Sequence, residues 1–457
     1  SVLRQIRDEV GDVELSCVTL VTRRLLFCDV NDLADMGEPT EENGQLPGVE
    51  IGNVSQAFQA TCHAAASAFL SEYTGENKRC AEVVAELIKH HGSKVPFDTL
   101  DLQGNQPVLK GNQINDEIVP ALLAVLKQHN VTSHLNLSYN TVTDKGAACI
   151  AEFLRQNTRM EGISLFLNEI TAEGAGALYG ALKAGSSAVE HIDLGYNRIG
   201  GDGGLRLAQM LQRTPSVTSV NVENTYLDMN GLQQVLIALQ TNRTTEDINL
   251  GRPVLSSQGV GSLPHHLGKM LKSNVVLKEL RLPWWSLCCS DMFTICQGLL
   301  VNQTLVHLDL VGNKIAPDGA EYLATYLSLN GALKALNLES NRIQDGGTLA
   351  LARALTTGRS GLEWLNIKFN SIQPEGLKAM ARAIRASCAL RYVYVWGNEF
   401  DHDTCQDYTY LLSGAVPRVS VEGGLDISTY IVDGVCSVAH VECKEFKPLF
   451  KRKRFRV

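Results

Sequence analysis

The chain has 457 residues, with 41 lysines and arginines against 49 aspartates and glutamates, a formal net charge of −8 and a pI near 5.8. That balance argues against nucleic-acid binding by the chain as a whole, and no run approaches the roughly 18 apolar residues of a membrane span. Ser1-Val2-Leu3-Arg4-Gln5 lacks the charged-then-apolar pattern of a secretory signal, so the expectation is a cytoplasmic protein.

Residues 1–96 read as a helical region with an acidic loop. Gly37-Glu38-Pro39-Thr40-Glu41-Glu42-Asn43-Gly44 has loop chemistry. Val54, Phe58, Cys62, Ala65, Ala66 and Phe69 fall at helical spacing, and Ala81, Val84, Ala85 and Ile88 predict a second helix. Two readings stand for this region: a cap over the exposed core at the start of the next segment, or a separate docking element.

From about 97 to 413 the sequence repeats. Leu135-Asn136-Leu137 followed by Asn140 returns as Ile163, Leu165, Asn168; Ile192, Leu194, Asn197; Leu308, Leu310, Asn313; Leu336, Leu338, Asn341; Leu365, Ile367, Asn370; and Val393, Val395, Asn398. Degenerate copies begin at Leu100, Val220, Ile248 and Leu280, making eleven in all. A fixed period near 28 residues is the mark of a solenoid. Apolar residues two apart share one side of a strand. The asparagine arrives where the chain leaves the strand, and its amide donates and accepts, so stacked copies form a ladder. Helices are predicted over Asp144 to Gln156, Asp318 to Asn330 and Glu375 to Ala386, opening on small or acidic residues. The expected architecture is an α/β horseshoe with parallel strands on the concave face and helices on the convex face.

The array has irregularities. Gln106 to Gln113 lengthens the first repeat, and Thr225, Pro253 and Trp285 occupy three successive asparagine places. These breaks read either as drift in a tolerant scaffold or as an epitope, with Trp285 pointing inward and Trp284 on the turn. The inner-face triplets are mostly small and polar. The last two repeats differ, placing Trp364, Tyr392, Tyr394 and Trp396 on adjacent strands. Exposed, they are partner anchors; covered by the chain's end, they are cap core.

Residues 414–457 hold a hairpin around Asp433-Gly434, expected to close the sheet, and a basic tail. The tail carries Lys444, Lys447, Lys451, Arg452, Lys453, Arg454 and Arg456 among three phenylalanines. It reads as a solvated tail, as a contact for an acidic protein surface such as a cytoskeletal one, or as a nuclear-import signal or nucleic-acid contact.

Motifs for chemistry are missing. There is no G-x-x-x-x-G-K-[ST], no H-E-x-x-H and no G-x-S-x-G. His191/Asp193 and His307/Asp309 stand four repeats apart, roughly 20 Å at one strand spacing per repeat, too far to share a metal or a substrate atom. No enzyme activity, cofactor or metal is expected. Twelve cysteines lack any C-x-x-C spacing and are expected as free thiols. Sequons at Asn53, Asn130, Asn136, Asn242 and Asn302 read as accidental, since Asn136 sits in a repeat strand.

The repeat length, the asparagine position and the helix openings resemble the ribonuclease-inhibitor class of leucine-rich repeats over about 97 to 413. The class includes recognition arrays of innate immune receptors and activators of small GTPases. The resemblance implies a protein-interaction scaffold or a regulator of an enzyme; the activators usually end in an acidic tail, whereas this tail is basic. The segment Tyr430 to Val435 and the overall layout resemble ciliary leucine-rich-repeat proteins, which implies a structural part in the axoneme of cilia or flagella.

Overall fold

The computed structural model describes residues 63–91, 99–107, 109–129, 132–183, 187–255, 260–356, 359–420 and 424–442. The acidic loop, the helix expected from Val54 as far as Cys62, and the basic tail with Lys451, Arg452, Lys453 and Arg454 lie outside them.

Eleven three-residue strands form one parallel sheet in sequence order: β1 (Thr99–Asp101), β2 (His134–Asn136), β3 (Gly162–Ser164), β4 (His191–Asp193), β5 (Ser219–Asn221), β6 (Asp247–Asn249), β7 (Glu279–Arg281), β8 (His307–Asp309), β9 (Ala335–Asn337), β10 (Trp364–Asn366) and β11 (Tyr392–Tyr394). Each is centred on the leading apolar residue of a repeat, the four degenerate copies included. The register is constant, with Leu135 opposite Ile163 and Leu365 opposite Val393. The helices Asp144–Gln156, Pro317–Leu329 and Pro374–Ala386 lie within a residue of their expected spans.

The asparagines explain why the strands are short. Asn197 Nδ2 donates to Leu194 O at 2.9 Å in its own repeat and to Leu165 O at 2.8 Å in the preceding one. Its Oδ1 accepts from Ile170 N at 3.0 Å. Asn140, Asn168, Asn313 and Asn341 repeat the pattern. Each side chain satisfies backbone groups that turn away from the ladder and would otherwise be buried unpaired.

A second asparagine ladder runs where the helices end. Asn242, Asn274, Asn302 and Asn330 donate to Leu211, Leu239, Leu271 and Leu299 carbonyls at 2.7 to 3.1 Å. Asn242, Asn274 and Asn302 also accept two backbone amides each from their own turn. The sequons at Asn242 and Asn302 are thereby buried in backbone bonding, and Asn136 is buried on β2, where its Oδ1 accepts from Ser138 N; Asn53 and Asn130 lie outside the described residues.

The acid at a helix opening serves the next repeat. Asp144 Oδ1 accepts from Thr171 N at 2.8 Å and Gly174 N at 3.0 Å, capping the following helix. A Cβ on Gly174 would come within 2.4 Å of that carboxylate oxygen, so only glycine fits. Asp345 caps Gly376 the same way.

Helical residues 63–72 and the helix Lys78–His91 bury Ala65, Phe69, Val84 and Ile88 in the core shared with the repeats. At the other end, β12 (Ile427–Val432) and β13 (Val435–His440) form the expected hairpin, with Asp433 and Gly434 at positive φ. It does not close the sheet. The edge of β11 is met by Gly424 O, which accepts from Val393 N at 2.7 Å, and by the Asp426 carboxylate, which accepts from Val395 N at 2.8 Å and Trp396 N at 3.1 Å. The hairpin packs instead on the helix His402–Tyr410, where Cys405 and Cys436 form a disulfide. This corrects the free-thiol expectation for that pair. Their Cα atoms stand 5.8 Å apart across 31 residues, a proximity that spacing cannot reveal. Cys80, Cys149, Cys288, Cys289, Cys296 and Cys388 are free.

Candidate protein-interaction face

The concave face is built from one outward triplet per repeat, whose central residue is the last residue of the strand, between the two apolar positions. The central residues have a local task. Asn136, Asp193, Asn221, Asn249, Asp309, Asn337 and Asn366 each accept the backbone N–H two residues on, at 3.0 to 3.2 Å. This gives the aspartates of the two His–Asp pairs a structural role on β4 and β8. Among the described residues no three His, Cys, Asp or Glu side chains converge as metal ligands.

Charge on this face is organised. One carboxylate rises from each of six consecutive repeats, β4 to β9: Asp193, Glu223, Asp247, Glu279, Asp309 and Glu339. Among the described residues three cations answer them. Arg281 reaches Asp247 at 3.0 Å and Glu279 at 2.7 Å, Arg252 reaches Glu223 at 3.2 Å, and Lys368 stands 3.7 Å from Glu339. Burial disfavours the Arg281 charge, but Asp247, Glu279 and Asp309 outweigh it and raise its pKa. A cavity of 330 Å³ opens beside this column, lined by Tyr139, Phe166, His191, Asp193, Asn221 and Arg281 among others.

Burial pushes the Asp193 carboxyl up to about 6, against hydrogen bonds from Gly195 N and Asn221 that lower it. A carboxyl whose pKa rises on folding binds its proton more tightly in the native state. Its contribution therefore favours folding at low pH and is lost as pH climbs from about 4 to about 6. Asparagine keeps the Oδ1 acceptor without the charge, and five other central positions already carry it. Asp193→Asn is expected to raise the melting temperature at pH 7.5 relative to the parent, with the difference shrinking towards pH 4. A pH-independent difference in thermal scans would exclude the buried charge as its source.

The aromatic group at the C-terminal end divides. Trp364 and Tyr394 are buried, each 5% exposed, in edge-to-face contact at 5.4 Å over Ala335, with Tyr392 half-buried beside them. Of the two readings left open, exposure does not hold for those two: side chains of neighbouring strands meet on the concave side, and the large rings close over one another. Trp396 is half-buried with His440 of β13 at 5.3 Å.

The exposed aromatics form a rim. In ten successive repeats the residue at the place before the ladder position has positive φ, including Gly312 and Gly397. Only glycine and asparagine adopt this conformation at little cost. Yet Tyr139, Leu167, Tyr196, Arg252, Trp284 and Phe369 occupy it too. Leu167, Trp284 and Phe369 are 40%, 47% and 48% exposed. Arg252 lies 5.0 Å over the Trp284 ring, and Phe166 touches both Tyr139 and Tyr196, at 5.5 and 4.9 Å. Trp284 thus stands on the turn and Trp285 is fully buried, as expected. Sequence reasoning missed the rest of the rim and read the acidic column as merely small and polar. The signal was present in both cases, as a residue type recurring at one place in the repeat.

The family model described as "Leucine Rich repeat" matches residues 133–151, 186–208, 301–324, 332–352 and 362–381. "Leucine-rich repeat-containing protein 34" of Mus musculus is 30% identical over 235 residues, 44% of this chain and 49% of that protein. The Rattus norvegicus protein of the same name is 31% identical over 42% of this chain and 45% of its own length. The chain thus spans about half the length of these curated relatives. "Ribonuclease inhibitor" of Sus scrofa is 24% identical over 66% of this chain and 65% of that protein. Among solved structures, "Leiomodin-1 Actin-Binding Site 2 (ABS2)" covers 32% of this chain and 86% of its own, at 21% identity and a TM-score of 0.29.

Proposed function

We propose that this leucine-rich-repeat chain is a non-enzymatic scaffold that binds other proteins through its concave face and aromatic rim. The carrying observation is the rim. Bulky apolar side chains are kept, exposed, at a backbone position where glycine costs less. Each leaves nearly half of itself in solvent, and aromatic anchors dominate binding energy at protein interfaces. We place the scaffold in a large cytoskeletal assembly such as the axoneme of a cilium or flagellum. The basic tail, suited to an acidic cytoskeletal surface, and the resemblance of Tyr430 to Val435 to ciliary leucine-rich-repeat proteins support that placement.

The test is affinity capture of the parent chain against Trp284→Ala and Phe369→Ala, with mass spectrometry of what is retained. Truncating one interface anchor typically costs about 2–4 kcal/mol of binding, so each variant is expected to lose its specific partner while keeping its melting temperature. Equal capture by all three proteins overturns the rim as the contact.

A second reading has its own support. The acidic column suits a basic partner, and the chain resembles ribonuclease inhibitor along two thirds of its length. On this reading the chain regulates an enzyme, as a nuclease inhibitor or a small-GTPase activator. Dose-dependent inhibition of a basic ribonuclease, or accelerated GTP hydrolysis by a small GTPase, would favour it over the scaffold.

A further inference from the structure

The geometry points to the chain's own basic segment, residues 443–457, as a ligand in cis for the acidic column of the concave face, shielding it from external partners. The inference rests on the concave-face reading above and adds its regulation.

Charge complementarity comes first. Six carboxylates stand on six consecutive repeats against three answering cations among the described residues, so the column carries more negative than positive charge. The segment from Cys443 onward holds seven lysines and arginines and a single acid, Glu445. The carboxylates recur at one strand spacing, about 4.8 Å. Lys451, Arg452, Lys453 and Arg454 are contiguous, about 3.3 Å apart in extended chain, and their long, flexible side chains make up the difference.

The point of departure comes second. Val441 N donates to Asp426 O at 2.9 Å, and the Asp426 carboxylate holds Val395 and Trp396 at the open edge of β11. His440, one residue earlier, lies on Trp396. The segment therefore leaves the described chain at the lip of the concave sheet and not on the convex helices. From β11, Glu339 is two strands away and Asp193 seven, roughly 10 and 34 Å. Fifteen residues span up to about 50 Å. The segment also holds Phe446, Phe450 and Phe455, apolar side chains of a kind that suits the exposed Phe369 and Trp284 of the rim.

A tethered ligand works at an effective concentration of about 1 mM. With an intrinsic affinity near 0.1 mM, roughly that of a few partly screened ion pairs, it would weaken a competing partner about tenfold. An acidic surface that takes the segment would release the face, so the two binding modes oppose each other.

Zero-length carbodiimide crosslinking of the full chain at low salt, read by peptide mass spectrometry, tests the contact. Glu223 and Glu339 are the reactive targets, since each is partly accessible. The expected result is crosslinks within one chain from Lys447, Lys451 or Lys453 to these two residues. They should disappear at about 1 M salt, where the screening length falls to roughly 3 Å. Crosslinks only to acids on the convex helices, only between chains, or not at all would overturn the inference. A second arm uses the full-length variant K451Q/R452Q/K453Q/R454Q. It is expected to capture a concave-face partner about tenfold more tightly than the parent, and unchanged affinity counts against shielding. If neither protein captures a partner, the scaffold reading fails, while the crosslinks still decide where the segment lies.

Discussion

Trp285→Ala is expected to destabilise the chain by about 3–5 kcal/mol, the range for removing a fully buried aromatic side chain. The reason is specific to its place. Trp285 stands where the ladder has asparagine, and its Nε1 donates to Leu250 O at 2.8 Å. Asn197 makes the equivalent bond to Leu165 O, also at 2.8 Å. The indole thus does the amide's task across repeats and fills volume that an asparagine would leave empty. Trp285→Phe keeps most of that volume and orphans one carbonyl, so its cost should be about 1–3 kcal/mol. Stability in a solenoid is a sum of nearest-neighbour terms, so the loss should be local. Hydrogen exchange should accelerate across β6 and β7 and stay unchanged at β1 and β2. Equal costs for Ala and Phe would assign the effect to the hydrogen bond alone; uniform acceleration would contradict the repeat-by-repeat picture.

Trp285 also shows where sequence reading reaches and where it stops. Its inward orientation was legible, because strand alternation and the ladder position both demand it. Its role as a donor was not, since that depends on Leu250 O, 35 residues away. The eleven strands were legible down to the degenerate copies, since a short apolar pattern repeated at a constant period leaves little freedom in register. The second ladder of Asn242, Asn274, Asn302 and Asn330 escaped because it lies outside the strand motif, in turns where asparagine is ordinary. The disulfide and the closing of β11 by Asp426 depend on how the last repeat meets the chain beyond it, where periodicity ends. Pro253 and Thr225 read as breaks, but the sheet passes through them with its register intact. Thr225 Oγ1 still donates to Val222 O at 2.7 Å, which keeps the bond within its repeat and gives up the one between repeats.

The exposure of the C-terminal aromatics is where periodicity misleads most, and it yields the other large effect. Alternation places Trp364, Tyr392, Tyr394 and Trp396 on the concave side, and it says nothing about whether they cover each other. Trp364 and Tyr394 do, at 5% exposure each. Trp364→Ala is therefore expected to cost about 3–5 kcal/mol and Tyr394→Ala about 3 kcal/mol, including the lost edge-to-face contact of about 0.5–1.5 kcal/mol. Trp396→Ala should cost less, because its ring is half-buried and its main aromatic neighbour is His440. Phe369→Ala should cost almost nothing, since nearly half of that residue is exposed and exposed positions usually change stability by less than about 0.5 kcal/mol. Relief of its positive φ does not follow from alanine, which shares the Cβ clash. Binding should follow the opposite order, with Phe369→Ala selectively defective and Trp364→Ala failing only when the fold does. Urea denaturation and partner capture measured on the same four variants separate the two orders. A Trp364→Ala protein with parental stability and no capture would return the binding site to the C-terminal aromatics and take it from the rim.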